Sequence, residues 1–450
     1  MYKISQIAEE YKKRLITADE AAAKIKDGDR VSYGLGLSAP HDIDIAIGKR
    51  AKELHNVEIV STTLVVDKLY AAYTDDADVD NIRFASAHMN GIDRKINKAG
   101  RLWFIPMLFN ELPYYWPETG IDILTIQVHP MDKWGNFNLG PQASDLRGLL
   151  KAAKMVIVET NEKMPRALGY ETELNIADVD YIVEGSGSPM PEIPGKAATP
   201  EDEIIADYVV NMIQDGSTLQ LGIGGLPSAI GKKLAESDIK DLSGHTEMLV
   251  DSYVDLYEAG KITGNKNRDK GKIIYTFAGG TKKLYDFIDD NQIVFNAPVN
   301  YVNNVGVVQS IDKFVSINSC INLDLFGQVN AESAGFTQIS GTGGQLDFAE
   351  GAYLSKGGQG FICLHSTRTM KDGSRQSLIV PTLQTGSIVT TPRTAVHNIV
   401  TEYGVATLKG KSTWQRAEAL INIAHPDFRD ELIKEAEKMG IWTRTSKVTM

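Results

Sequence analysis

The chain has 450 residues, 42% hydrophobic and 23% charged, a globular composition too long for one ordinary core, so two or three domains are expected. Its formal net charge of −11 argues against broad binding to nucleic acid or an anionic membrane, which need a basic footprint, but leaves room for an anionic ligand in a local basic pocket. Two cysteines, Cys320 and Cys363, have no spacing of a bridge or a zinc site and fit a reducing cytoplasm.

The N-terminal residues lack the apolar core and small-residue cleavage site of a signal peptide. No stretch approaches the about 18 consecutive apolar residues of a membrane span, so a cytoplasmic location is expected. The spacing of Ile4–Leu15 predicts an amphipathic helix that serves packing. Strands are then predicted at Arg30–Gly34, Val57–Val65, Met155–Glu159, Leu219–Gly222, Lys272–Phe277 and Phe314–Asn318. Helical spacing fills Asp42–Leu54, Ser144–Ala153 and Glu201–Ile213. Strands punctuated by helices imply βαβ units and an α/β fold. The Gly-, Ser- and Pro-rich stretch Gly185–Pro200 cannot hold regular structure and marks a domain boundary, dividing 1–190 from 191–450.

A repeat crosses that boundary. Gly28-Asp-Arg-Val-Ser-Tyr-Gly34-Leu-Gly36 is matched by Gly216-Ser-Thr-Leu-Gln-Leu-Gly222-Ile-Gly224, an offset of 188 residues (216 − 28) that continues without a gap to Leu54 and Leu242. Each copy reads as helix, turn, strand, glycine loop, helix, which predicts a duplicated domain. The copies differ chemically: Glu247 in the second corresponds to Ile59 in the first.

The loop Gly222-Ile223-Gly224-Gly225 has Pro227 where a dinucleotide fingerprint has its third glycine, so a nicotinamide site is not expected. Lys409-Gly-Lys-Ser412 lacks the phosphate-loop glycine at 405, where Val405 stands, and reads as a turn. A glycine loop at a strand end still lets backbone N–H groups approach a developing negative charge. Ser340-Gly341-Thr-Gly343-Gly344 is a second such loop. The run Gly244-His245-Thr-Glu247-Met-Leu-Val250 sets an acid in an apolar strand, which must be solvated, paired or protonated there. Both a structural strand-end acid and a functional one fit this pattern. His245 reads either as a neighbour of the acid or as a satisfied core histidine.

Several ordered motifs then resemble one family. They are Leu219-Gln-Leu-Gly-Ile-Gly-Gly225, His245-Thr-Glu-Met248, Gly279-Gly-Thr-Lys-Lys-Leu-Tyr-Asp-Phe287 and Gly327-Gln-Val-Asn-Ala-Glu332. Further on come Ser340–Phe348, Val400-Thr-Glu-Tyr-Gly404 and Arg416–Arg429. From about Glu10 to about Trp442 the chain resembles the acetyl-CoA hydrolase/transferase group of coenzyme A transferases. Within it the chain looks most like the butyryl-CoA:acetate CoA-transferases and is close to the 4-hydroxybutyrate CoA-transferases.

The resemblance implies two related open α/β domains with the active site between them, the second bearing a nucleophilic glutamate at Glu247. It implies an oxyanion hole from backbone N–H groups at Ile223, Gly224, Gly225 and Gly344, with Gly341 and Gly343 in the same CoA-binding loop. Asn303 matches the asparagine that steadies the reacting carboxylate. The loop Lys133–Gly140 is expected on the first domain's side of the cleft, with Trp134–Gly140, Phe137 in it, reading either as a lid or as a surface turn without contact to the site. Coenzyme A is implied as a substrate, with no permanently bound cofactor and no metal. A homo-oligomer, dimer or larger, is expected, without nucleic acid or membrane partners. Lys266, Arg268, Lys270 and Lys272, or Lys409 and Lys411, are candidates for the CoA phosphates, with solvated surface as the plainer reading. An acyl-CoA hydrolase on the same scaffold, and a non-catalytic binding module, remain alternatives.

Overall fold

The structure is a computed structural model and describes residues 2–73 and 78–444. It divides into two compact units. The first comprises Met1–Pro194, Thr246–Asp251 and Lys272–Asn304; the second comprises Gly195–His245, Ser252–Gly271 and Val305–Met450. The stretch from Gly185 to Pro194 that closes the first part of the first unit has no regular structure, as its glycines and prolines dictate.

The first unit is built on strands β1 (Arg30–Gly36), β2 (Val57–Leu64), β3 (Ile82–Ser86), β4 (Leu102–Phe104), β5 (Ile121–Val128), β6 (Ala153–Thr160) and β7 (Tyr181–Glu184). They form one sheet in the order β4-β3-β2-β1-β5-β6-β7, every pair parallel. A parallel sheet covered on both faces needs strands apolar at nearly every position. In the middle of β1, β2, β5 and β6 the side chains accordingly divide by parity. Val31, Ile59, Ile123 and Ile157 enter one apolar cluster, and Val60, Leu124, Val156 and Val158 the other. Helix α1 (His41–Arg50) follows the β1 loop.

In the second unit α2 (Pro200–Val210) is started by Thr199, whose hydroxyl accepts from the Asp202 N–H while Asp202 bonds back to the Thr199 N–H. Strand β8 (Thr218–Leu221) and helix α3 (Gly225–Glu236) then repeat the β1–α1 pattern. Strand β9 (Ser243–Leu249) begins in the second unit and ends in the first. Strands β10 (Ile273–Ala278) and β11 (Val294–Asn296) pair in parallel within the first unit. The second unit continues with β12 (Phe314–Ser319), α4 (Gln345–Leu354), β13 (Gln359–Cys363), β14 (Asn398–Thr401) and β15 (Gly404–Thr407). Its sheet runs from the start of β9 through β8-β12-β13-β14-β15, parallel except for the hairpin β14–β15. The duplicated α/β arrangement expected from the repeat is therefore present: strand, glycine loop and helix recur in β1–α1 and β8–α3. Among the described residues, no helix is long and apolar enough to cross a membrane.

Candidate active site

Strand β9 is apolar at its end, and Glu247 and Met248 are its only half-buried positions. A carboxylate here needs a donor, and Asn303 supplies one: its Nδ2 donates to Glu247 Oε2 at 2.6 Å. Asn303 is 0% exposed. Both residues belong to the first unit. A short bond from a neutral amide to a carboxylate is charge-assisted, roughly twice as strong as a neutral pair. It also holds one carboxylate oxygen in a fixed direction.

Asn303 is held in place by the turn of helix Val299–Val302, which its backbone N–H closes on the Val299 carbonyl at 2.9 Å. That turn is anchored twice. Val299 is fully buried, and its N–H donates to the Ser144 carbonyl at 3.0 Å. Just upstream, buried Asn296 donates through Nδ2 to the carbonyls of Tyr275 and Thr276 at 3.2 and 3.0 Å and accepts from the Ala143 N–H. Gly169 lies so close that a Cβ there would stand 1.9 Å from the Asn296 carbonyl oxygen, so no other residue fits. Sequence reasoning missed Asn296. Its only signal is a polar residue closing an apolar strand.

The expected oxyanion loops lie in the second unit. Gly224 precedes α3 with φ 118°, a backbone open to glycine alone. A Cβ on Gly225 would meet the Asp202 carboxylate at 2.8 Å. The β8 end is fixed by Tyr253, whose hydroxyl accepts from the Leu221 N–H and donates to the Leu219 carbonyl, both at 3.0 Å. Ile223 is half-exposed at the loop tip. In the other loop Gly343 has φ 56°, whereas Gly344, preceding α4, has an ordinary φ of −103°. Helix starts such as these leave N–H groups without intrahelical acceptors. Glu332, buried at 3% exposure, accepts from the Thr342 hydroxyl and thereby ties the Gly341–Gly344 loop to the Gly327–Glu332 motif. The carboxyl ends of β12, β13 and β14 open on a cavity of about 850 Å3, with Ser319, Leu364, His365, Tyr403 and two arginines, Arg368 and Arg375, in its wall. Strand carboxyl ends are where open α/β sheets bind ligands.

Other expectations are corrected. The lid segment is part of the core: Asn136–Asn138 is a strand paired with Glu173–Asn175, and Phe137 is fully buried, stacked on Tyr11 at 6.4 Å. Its apolar ring is drawn into the cluster that covers the sheet, so Phe137 cannot gate solvent. The basic runs are largely committed elsewhere. Lys266 is buried, donates to the Asp269 carbonyl at 3.0 Å and has its pKa lowered to about 8 by burial. Lys272 donates to the Gln292 carbonyl, and Lys409 donates to the Thr394 carbonyl and lies over the Tyr353 ring at 4.4 Å. Ser412 caps helix Thr413–Asn422. His245 is buried with its ring edge-on to Phe314 at 5.8 Å, the core reading of that residue.

The first unit also buries acids that the sequence did not single out. Glu159 accepts from the N–H groups of His41, Asp42 and Ile43, which caps α1. Burial raises its pKa. Asp44 accepts from the Tyr33 hydroxyl at 2.9 Å and the Tyr70 and Ala71 N–H groups, and burial pushes its pKa up to about 6. Asp145, accepting from the Trp116 indole N–H at 2.7 Å, is likewise pushed up to about 6 by burial. Their partners are structural.

Residues 1–194 match the acetyl-CoA hydrolase/transferase N-terminal domain, and residues 280–436 match the acetyl-CoA hydrolase/transferase C-terminal domain. The chain belongs to the acetyl-CoA hydrolase/transferase family. Over 98% of its length, and 99% of the relative's, it is 51% identical to butyryl-CoA:acetate CoA-transferase of Anaerostipes caccae. It is 41% identical to 4-hydroxybutyrate coenzyme A transferase of Clostridium kluyveri over 95% of this chain and 98% of that one. The fold also matches the crystal structure of RipA from Yersinia pestis, with a TM-score of 0.89 and 34% identity, covering 97% of this chain and 99% of the other.

Proposed function

We propose that this protein transfers coenzyme A between a short-chain acyl-CoA, butyryl-CoA first among them, and a carboxylate acceptor, acetate, through covalent intermediates on Glu247. The enzyme class follows from its family and from the relatives named above. The observation that carries the mechanism is the 2.6 Å bond from fully buried Asn303 to half-buried Glu247. It orients a partly desolvated carboxylate at a strand end, and desolvation is what makes a carboxylate competent toward a thioester.

The Glu247 carboxylate attacks the thioester carbonyl; the C–S bond breaks, giving an acyl-glutamyl anhydride and CoA thiolate. The thiolate attacks the Glu247 carbonyl, releasing the first acid as carboxylate and leaving a glutamyl-CoA thioester. The incoming carboxylate attacks that thioester, forming a new anhydride and expelling thiolate once more. The thiolate then attacks the acyl carbonyl, which yields the new acyl-CoA and restores Glu247. Double displacement of this kind has ping-pong kinetics. Each tetrahedral intermediate carries charge on oxygen, and the N–H groups at Gly224 and Gly344, with their neighbours Ile223, Gly225, Gly341 and Gly343, serve as its donors in this reading. These steps call on no resident cofactor or metal, and in this reading the enzyme works in the cytoplasm as a homo-oligomer.

Borohydride reduction after exposure to acyl-CoA, with acetate withheld, tests the reading by mass spectrometry of the digested protein. Reduction of the side chain in the Glu247 peptide is expected. Reduction at another residue, or at none in an enzyme that exchanges CoA, refutes it.

A further inference from the structure

In the first copy of the repeat the acid has given way to Ile59, yet the glycine loop after β1 is retained and opens on a cavity of its own. That cavity is about 140 Å3 and is walled by Leu37, Ala39 and Pro40 from the loop and by Val65, Val66 and Leu69 beyond β2. We propose that it receives the acyl tail of the thioester, and that Val65 and Val66 limit that tail to a short chain. The inference rests on the transferase reading above and names the residues that set chain length within it.

The wall also carries polar groups, several of them taken up by other partners: Asp44 by Tyr33, Tyr70 and Ala71, the Gln127 amide by Glu159 at 3.2 Å and Asn161 at 3.0 Å, and the Ser188 carbonyl by the Asn161 amide at 2.9 Å. Asp67 and Lys68, both exposed, line it together with His41 and Tyr70. Its size suits a small aliphatic group. At ~30 Å3 per water-sized group it holds four or five such groups, which covers the three carbons beyond a butyryl carbonyl and excludes a long chain.

Its position relates it to the nucleophile inside one compact unit. Val65 packs with Leu37, Met164 and Tyr285. A Cβ built on Gly279 would stand 3.7 Å from Val65 and 2.5 Å from Met248 Cε, so the cavity wall reaches the residue next to Glu247 through a gap that only glycine leaves open. The Gly279 N–H donates to the Leu249 carbonyl at 3.1 Å, two residues past Glu247 on the same strand. A Cβ built on Gly36, at the start of the cavity loop, would stand 4.0 Å from Phe277 Cβ on β10. The two copies differ in use: one keeps the acid, while the other, with Ile59 in its place, has a loop walled largely by hydrocarbon.

Two variants act in opposite directions. Val66→Phe places a ring from a half-buried rim position into the cavity, and Val65→Ala enlarges it. Specificity is read as ratios of kcat/KM for acetyl-, butyryl- and hexanoyl-CoA with isotope-labelled acetate as acceptor. Each buried methylene is worth about fourfold, so Val66→Phe is expected to lower the butyryl-to-acetyl ratio about tenfold or more, and Val65→Ala to raise the hexanoyl-to-butyryl ratio several-fold. Thermal unfolding of both variants establishes that they fold, and either alone is sufficient. Ratios within twofold of the parent overturn the proposal and leave the Glu247 chemistry standing. Calorimetric binding of the same thioesters to Glu247→Gln, with and without Val66→Phe, reads the cavity independently of turnover. A preference for butyryl over acetyl that Val66→Phe abolishes supports the proposal even in a protein that exchanges no CoA, and an unchanged preference overturns it.

Discussion

Replacing Asn303 by alanine isolates the interaction on which the mechanism turns. The side chain makes one hydrogen bond among the described residues, from Nδ2 to Glu247 at 2.6 Å, and its Oδ1 has no partner there. The backbone N–H that closes the Val299–Val302 turn is untouched by the change. Truncation therefore removes a single charge-assisted bond, worth about 1.5–3 kcal/mol. If that bond aims the carboxylate during attack, kcat falls roughly 10- to 150-fold at saturating acyl-CoA and acetate. Steady-state exchange, with thermal unfolding as the control for folding, measures this directly. The companion Asn303→Asp sets two carboxylates side by side, where both cannot stay ionised, and its activity shifts with pH in a way that alanine's does not. A loss in kcat of less than threefold, or a rise in KM alone, refutes the orienting role.

Glu247→Gln should lose all but a few per cent of exchange, and Glu247→Asp should fall at least a hundredfold because retraction by a methylene spoils the attack geometry; activity assays and the borohydride trap check both. Gly344→Val meets no φ penalty, since φ there is −103°, and it keeps the N–H, but its branched side chain displaces the loop that aims this donor; turnover should drop on the order of a hundredfold, the worth of one oxyanion donor at ~3 kcal/mol, with calorimetry showing CoA affinity little changed. Phe137→Ala opens the core of the first unit, where the ring is 0% exposed, and should cost ~3–5 kcal/mol in denaturant unfolding without altering the balance between thioester hydrolysis and exchange. The fully buried Asp145, whose pKa burial pushes up to about 6 from an ordinary 3.8, binds more protons folded than unfolded. Its contribution is therefore present in full below pH 3.8 and is lost as pH rises through 6. Asp145→Asn should accordingly gain up to ~3 kcal/mol on the parent above pH 6 and nothing below pH 4. A pH-independent difference in unfolding free energy contradicts that assignment.

Much of this protein was legible from the sequence, because the relevant physics is local. Alternating burial, Gly28 and Gly216 in their turns, and the glycines after β1 and β8 are each dictated by the few residues around them. The duplication was readable because both copies solve the same local problem of turning from strand to helix. Glu247 stood out as an acid in an apolar strand, and the family motifs gave it a role. The residues that hold it in place were less visible. Asn296 sits against Gly169 across a long stretch of chain, and Glu332 reaches Thr342 over a hairpin.

What tertiary structure decided is which surfaces meet. Phe137 between two positive-φ glycines, Gly135 and Gly140, has the local grammar of a mobile loop. Only pairing with Glu173–Asn175 and the apolar cluster beneath it make the ring a core residue. The basic runs at 266–272 and 409–411 read either as phosphate sites or as solvated surface, and only the structure shows Lys266, Lys272 and Lys409 each donating to a backbone carbonyl. Above all, Glu247 and Asn303 lie 56 residues apart in sequence, on segments that leave the second half of the chain to join the first unit. A strand and a helical turn carry no local signal of their common destination, because that is set by the apolar surface each finds to bury. The sequence determined the acid and its copyless place in the repeat; the fold alone decided which amide would hold it.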